Sequence, residues 1–230
     1  MSLTVYGHPV SQPTRSVLMY LTLLGKDFDF KEVNVLKMEH KTPEFLKINP
    51  IGLIPAITDG DYSLAECSAI LTYLAKSFKD TKFYPENPKI AGKIHMYQSW
   101  HVGNTRPGLV AAFVAWAKAI FPPELVVFTL EEALKRAEAM CEKFQNIFLA
   151  DTKYIAGDQL TIADLQALPE FQNVAICCEF DFKGKFPKIA EWMERVQAEP
   201  ALKDSGLPVV QFKEFVLKAQ ANKEKEEKTQ

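Results

Sequence analysis

Ile54-Pro55-Ala56-Ile57-Thr58-Asp59-Gly60-Asp61-Tyr62-Ser63-Leu64-Ala65-Glu66-Cys67-Ser68-Ala69-Ile70 is the stretch that decides how this chain folds. Two short strand-like runs flank Asp59-Gly60, and Asp-Gly in that setting is a strong signal for a two-residue hairpin turn. From Glu66 onward the period changes: Ile70, Leu71, Leu74 and Phe78 recur at helical spacing on one apolar stripe. A hairpin delivered directly into a helix, ββα, is the unit to which the rest must attach.

Upstream, Leu3–Tyr6 reads as a short strand, followed by a loop through Gly7, His8 and Pro9. A helix then runs from about Pro13 to Gly25, with proline in its first turn and glycine at its end. Phe28, Phe30, Val33 and Val35 suggest a second strand, and the slip in alternation between Phe30 and Val33 suggests a bulge. A helical piece around Pro43–Ile48 completes the first part, so its order is βαβ followed by ββα.

Downstream, Asp80–Pro88 is polar and broken by prolines, the pattern of a linker. Strand signals nearly vanish beyond it. From about Lys89 to Ala219 the chain reads as successive amphipathic helices, interrupted at Pro122-Pro123, Gly157-Asp158, Lys183–Pro187 and Pro200. The expected organisation is an α/β domain over 1–80, a linker over 81–88, an all-helical domain over 89–222 and a solvated charged tail over 223–230. Within the helical part, Thr161 and Asp164 have the spacing of a capping box, and Leu160 and Leu165 that of a hydrophobic staple.

Composition excludes several classes of function. The chain has 230 residues, is 47% hydrophobic and 24% charged, and carries a formal charge of −2, which suits a soluble globular protein and not a nucleic-acid binder. The most apolar stretch, Pro107–Phe128, is broken by Lys118 and Pro122-Pro123, short of the roughly 18 continuous apolar residues of a membrane span. Met1–Tyr6 lacks the basic and apolar regions of a secretory signal. Among the four cysteines, Cys177 and Cys178 adjoin while Cys67 and Cys141 stand alone, so no Cys-x-x-Cys pair or zinc spacing exists. Reduced thiols in the cytoplasm, with no metal, are the reading.

Five segments carry a more specific message: Val10-Ser11-Gln12-Pro13-Thr14-Arg15, Asn49-Pro50, Ile54-Pro55-Ala56, Leu64–Ile70 and the Thr161–Asp164 cap. In this order they resemble cytosolic glutathione transferases, and the Ser-Gln-Pro-x-Arg stretch is most similar to the theta class. The resemblance runs from Leu3 to about Pro200. It implies a thioredoxin-like first domain, an all-α second domain, a homodimer, and glutathione as co-substrate with no cofactor. Its chemistry adds the glutathione thiol to hydrophobic electrophiles, in detoxification.

That chemistry needs a thiolate, and a free cysteine thiol has a pKa of about 8.5. One hydrogen bond to a charged group is worth about 1.5–3 kcal/mol, which at about 1.36 kcal/mol per unit lowers the pKa by roughly one to two units. The resemblance gives this role to Ser11, beside a helix start whose N–H groups and dipole act in the same sense. Tyr6 is the rival hydroxyl, because other classes use a tyrosine at the end of the first strand.

For the rest of glutathione, the resemblance implies binding by Gln12, His40, Lys41, Ile54, Pro55, Glu66 and Cys67. Pro55 would be cis, so that Ile54 pairs strand-like with the cysteinyl backbone. Glu66 would take the amino group, and the helix start at Cys67 the γ-glutamyl carboxylate. His40 and Lys41 are candidates for the glycyl carboxylate, or simply a solvated loop. Arg106 and Trp116 mark an electrophile site. Two departures stand out: Cys67 replaces the usual Ser or Thr and is a weaker donor, and Leu53 stands where theta relatives often carry Lys. Cys67 predicts weaker glutathione binding than the family norm. A thiol reductase of the same superfamily would carry Cys at the first helix, which is absent here, and a non-catalytic binding or assembly module is the remaining alternative.

Overall fold

A computed structural model describes residues 3–227, with side chains as far as residue 222. In the first part, β1 (Leu3–Gly7), α1 (Gln12–Leu23), β2 (Asp29–Glu32), α2 (Pro43–Ile48), β3 (Ala56–Asp59), β4 (Tyr62–Ala65) and α3 (Cys67–Ser77) follow in order. The strands form one sheet in the order β2-β1-β3-β4, with β2 parallel to β1 and the other pairs antiparallel. Alternation along β1 explains why both faces are covered. Val5 enters the main core with Val17, Leu21, Ile70 and Leu74, while Tyr6 packs with Val33, Phe45 and Ala56 on the α2 side.

The hairpin and α3 form as the sequence predicts, each displaced by one residue. Asp59 pairs with Tyr62, so the turn residues are Gly60 and Asp61, and Gly60 takes the left-handed φ of 64°. Helix α3 begins at Cys67 with Glu66 as its N-cap. The expected bulge is absent. β2 is an exposed edge strand that ends at Glu32, Phe30 stays exposed, and only its neighbours Phe28 and Val33 reach the two cores. Five positions apart, those two side chains fall on opposite faces, which is why the alternation looked out of phase.

The second part contains α4 (Pro88–Gly103), α5 (Thr105–Trp116), α6 (Leu130–Phe148), α7 (Ile162–Cys177), α8 (Phe182–Lys185), α9 (Pro187–Gln197) and α10 (Leu207–Glu227). No strand occurs in it among the described residues, only an isolated bridge between Tyr154 and Gly157. Pro88 belongs to the first turn of α4, capped by Asn87. The segment before it is no free tether: Phe83 is buried, its carbonyl accepts from Ile162 N, and Tyr20 donates to Asp80 at 2.7 Å. The backbone of α10 continues to Glu227, and the expected solvated tail over 223–230 otherwise lies outside the described residues. Among the described residues, no helix is long and apolar enough to cross a membrane.

Helix α7 runs through the middle, packed on α1, α3, α4, α5, α9 and α10. Its start is the predicted capping box: Thr161 N and Oγ1 both donate to Asp164 Oδ2, at 2.9 and 3.0 Å. The other oxygen of Asp164 accepts from Ile155 N and Trp192 Nε1, both at 2.9 Å, and Leu160 and Leu165 lie in the same core. Burial pushes the Asp164 carboxyl up, and these four donors pull it back towards the charged form.

Candidate active site

Three backbone features converge on one cleft. The first is the start of α1, where Ser11 N donates to His8 O at 2.9 Å and Ser11 caps the helix in an extended conformation. Its hydroxyl accepts from Thr14 N only at 3.5 Å, longer than the ordinary N–H···O distance of about 2.9–3.0 Å, so the cap bond is weak. The second is the loop into β3. Asn49 Nδ2 donates to Leu53 O at 2.7 Å, Lys41 Nζ donates to Gly52 O at 2.7 Å, and the Ile54–Pro55 bond is cis. The third is Glu66, a non-glycine residue at φ 69° and ψ 115°. A backbone held there costs on the order of 1–3 kcal/mol and tends to mark a functional position.

Two cavities open between these features and the helical part. The larger, about 450 Å³, is lined by His8, Ser11, Gln12, His40 and Ile54 at one end and by Val110, Phe113, Phe121 and Phe212 at the other. The smaller, about 240 Å³, is lined by Pro55, Glu66, Cys67, Ser68 and Gln166. Leu53, Ile54 and Arg106 stand on the walls of both, so the two form one cleft. Of the residues singled out from sequence, Ser11, Gln12, His40, Ile54, Pro55, Glu66, Cys67 and Arg106 are thereby brought together.

The others lie apart. Lys41 is on neither wall, its ammonium held by the Gly52 carbonyl. Tyr6 points to the α2 side, edge-on to Phe45 at 6.4 Å and beneath the Lys31 ammonium. Trp116 corrects a sequence expectation: it lines a separate cavity of about 590 Å³ with Val126, Phe128 and Gln220. The cleft-facing stripe of α5 is Arg106, Val110, Phe113 and Val114, at i, i+4, i+7 and i+8, and Trp116 falls off it.

The polar groups of the cleft are set for a polar guest. Gln12 Nε2 and His40 Nδ1 are buried without a hydrogen-bond partner. Burial lowers the imidazoles of His8 and His40 below the ordinary 6.5, with Glu32 opposing at His8 and Lys41 adding at His40, so both are neutral near pH 7. The Cys67 thiol is pushed up to about 12 by burial and faces the Pro13 carbonyl at 3.5 Å, which makes it a protonated, weak donor. Arg106 pairs with Glu170 at 2.7 Å, and His101 stands 3.7 Å from the same oxygen. Among the described residues no cluster of side chains could hold a metal ion.

Sequence reasoning missed His8, Glu170 and the α10 wall at Phe212. Glu170 carried a signal, an acid inside the apolar run Leu168-Pro169-Glu170-Phe171. Phe212 carried none, because only the packing of α10 on α7 brings it to the cleft.

A thioredoxin-like sheet that presents a helix start and a cis-proline loop to a cleft closed by a helical domain defines a known class of two-domain proteins. Residues 1–76 match the glutathione S-transferase N-terminal domain family, and residues 110–200 match its C-terminal domain family. The human "Glutathione S-transferase theta-2" is 34% identical over 86% of this chain and 82% of its own length, and human theta-1 is 30% identical over 86% and 83%. A solved human theta-class transferase, in complex with the glutathione conjugate of 1-menaphthyl sulfate, superposes with a TM-score of 0.85. It is 28% identical, covering 96% of this chain and 92% of that one. The chain belongs to the glutathione S-transferase family, and its similarity is to the theta class.

Proposed function

We propose that the chain is a glutathione transferase in which the Ser11 hydroxyl holds the thiolate of glutathione. The cysteinyl sulfur then attacks an electrophilic carbon of a hydrophobic substrate, a C–S bond forms, and the leaving group departs with its electron pair. The observation that carries this reading is the continuity of the cleft at Ile54 and Arg106. Ser11 and Gln12 open onto its larger part, and Glu66 onto the smaller. Glutathione lies across that junction, with its γ-glutamyl end at Glu66 and the first turn of α3, its cysteinyl backbone along Ile54, and its glycyl end towards His40. Lys41 contributes by fixing Gly52. The electrophile enters the apolar end beside Val110 and Phe113, with Arg106 at the reacting centre.

By the same family logic the protein acts as a cytoplasmic homodimer in detoxification, with the glutathione-binding domain over 1–80 and the helical domain over 89–222. The test is turnover of a reactive aromatic halide with glutathione, together with a pH titration of the ultraviolet absorbance of bound thiolate. Conjugation with a thiol pKa below that of free glutathione is expected. Neither conjugation nor bound thiolate would instead make the chain a non-catalytic binding or assembly module.

A further inference from the structure

Glu170 is a carboxylate with 1% of its side chain exposed, in the middle of a helix almost wholly buried. An unpaired charge in such a place is strongly unfavourable, so its partners are informative. Its Oε1 accepts from Arg106 Nη1 at 2.7 Å, while Oε2 has no hydrogen-bond partner. Burial pushes the Glu170 carboxyl up, and Arg106 and then the buried Arg15 pull it back towards the charged form. That arginine is anchored to the same helix, with Nη2 donating to Pro169 O at 2.8 Å and to Asn173 Oδ1 at 2.7 Å.

The placement of the two arginines gives this arrangement its meaning. Arg15 lies one turn into α1, the helix that Ser11 caps, and Arg106 lies at the start of α5. Arg106 is also one of the residues on the walls of both cavities, and 36% of its side chain is exposed. A guanidinium offers five N–H donors in a rigid fork. Among the described residues, Glu170 is the acceptor for this guanidinium, and only Nη1 is engaged. A long side chain at a cavity wall samples many rotamers unless one end is fixed. The carboxylate fixes that end and leaves the remaining donors for what occupies the junction.

We infer that Glu170 is a positioning residue for the conjugation reaction: from the protein interior it holds the Arg106 guanidinium at the junction where the sulfur meets the electrophile. The inference rests on the transferase reading of the cleft. It assigns Glu170 no contact with substrate, and it predicts that the residue acts only through Arg106.

The experiment is a double-mutant cycle on the full chain, with kcat and KM measured for an aromatic halide and for glutathione. Glu170→Gln keeps the size of the side chain and removes its charge. It is expected to lower kcat about tenfold while KM for glutathione stays within about twofold. Glu170→Asp should lie between wild type and Glu170→Gln. In an Arg106→Ala background, Glu170→Gln should cause no further loss, because the group it positions is gone. Losses that multiply in the double variant, or an unchanged kcat in Glu170→Gln, would overturn the inference. Should Glu170→Gln not remain folded by circular dichroism, Glu170→Asp decides: a wild-type kcat overturns the inference, and a lowered kcat at constant KM upholds it. A wild-type chain with no conjugation sinks the transferase reading and the inference with it. Conjugation that is indifferent to Glu170 sinks the inference alone.

Discussion

Replacing Ser11 by Ala separates the two jobs that a serine at a helix start can do. As a cap it accepts from Thr14 N at 3.5 Å, too long for the roughly 1 kcal/mol of a good N-cap bond, so the substitution should cost little stability. As a thiolate donor it should matter far more. Pro13 has no N–H, so the first turn of α1 offers the sulfur only the backbone donors of Gln12 and Thr14. Most of the stabilisation then falls to the hydroxyl, at about 1.5–3 kcal/mol for a hydrogen bond to a charged group. That corresponds to roughly one to two pKa units. The assay is the ultraviolet absorbance of bound thiolate as a function of pH, for wild type, Ser11→Ala and Tyr6→Phe, with thermal melts alongside. Ser11→Ala should raise the bound thiol pKa by one to two units and lower kcat/KM about tenfold to a hundredfold below that pKa. Its melting temperature should move little. Tyr6→Phe should leave the titration unchanged, since that ring packs against Phe45, outside the cleft. A wild-type pKa in Ser11→Ala with a raised one in Tyr6→Phe would refute the serine mechanism.

Cys67→Ser should tighten glutathione binding roughly twofold to tenfold, the worth of one better neutral hydrogen bond; calorimetry showing no gain counts against a γ-glutamyl site at that helix start. Asp164→Asn turns an amide N–H towards a site already filled with donors from Thr161, Ile155 and Trp192, and should cost about 3 kcal/mol or more in urea unfolding. His101 is held neutral by burial and then by Arg106, its pKa lowered from 6.5 to about 3, while burial raises the carboxyl of nearby Glu170 against the pull of Arg106, an effect of opposite sign. At His101 the native chain therefore binds fewer protons than the unfolded chain, and that residue's contribution makes stability fall as pH drops from about 6.5 towards 3. His101→Gln should flatten that part of the melting-temperature profile, and an unchanged acid slope would count against it.

What could be read from the sequence was whatever depends on neighbours along the chain. Asp59-Gly60 sets a turn, the stripe from Ile70 to Phe78 sets a helix, and Thr161 with Asp164 sets a cap within a single turn. Even there, local signals give element type more securely than position, because a turn or helix can slide by one residue at little cost until packing selects the register. The glutathione end of the cleft was legible for the same reason: Ser11 and Glu66 each cap a helix start and Ile54 stands two residues before β3, where short-range geometry fixes the backbone. The electrophile end follows a different rule. Its residues come from α5, the loop before α6 and α10, and only packing decides which flank of α5 faces inward. The sequence marks Trp116 and Phe113 equally as apolar, yet the cleft takes Phe113, whose ring packs against Phe212 from almost a hundred residues away, at 5.6 Å. Glu170 obeys this second rule most strictly. On a sequence reading, an acid in an apolar run is only an anomaly, and it becomes chemically legible once α5 brings Arg106 to it across 64 positions of chain. With Glu170 as the positioning residue, the catalytic geometry of this enzyme depends on a contact that no motif carries.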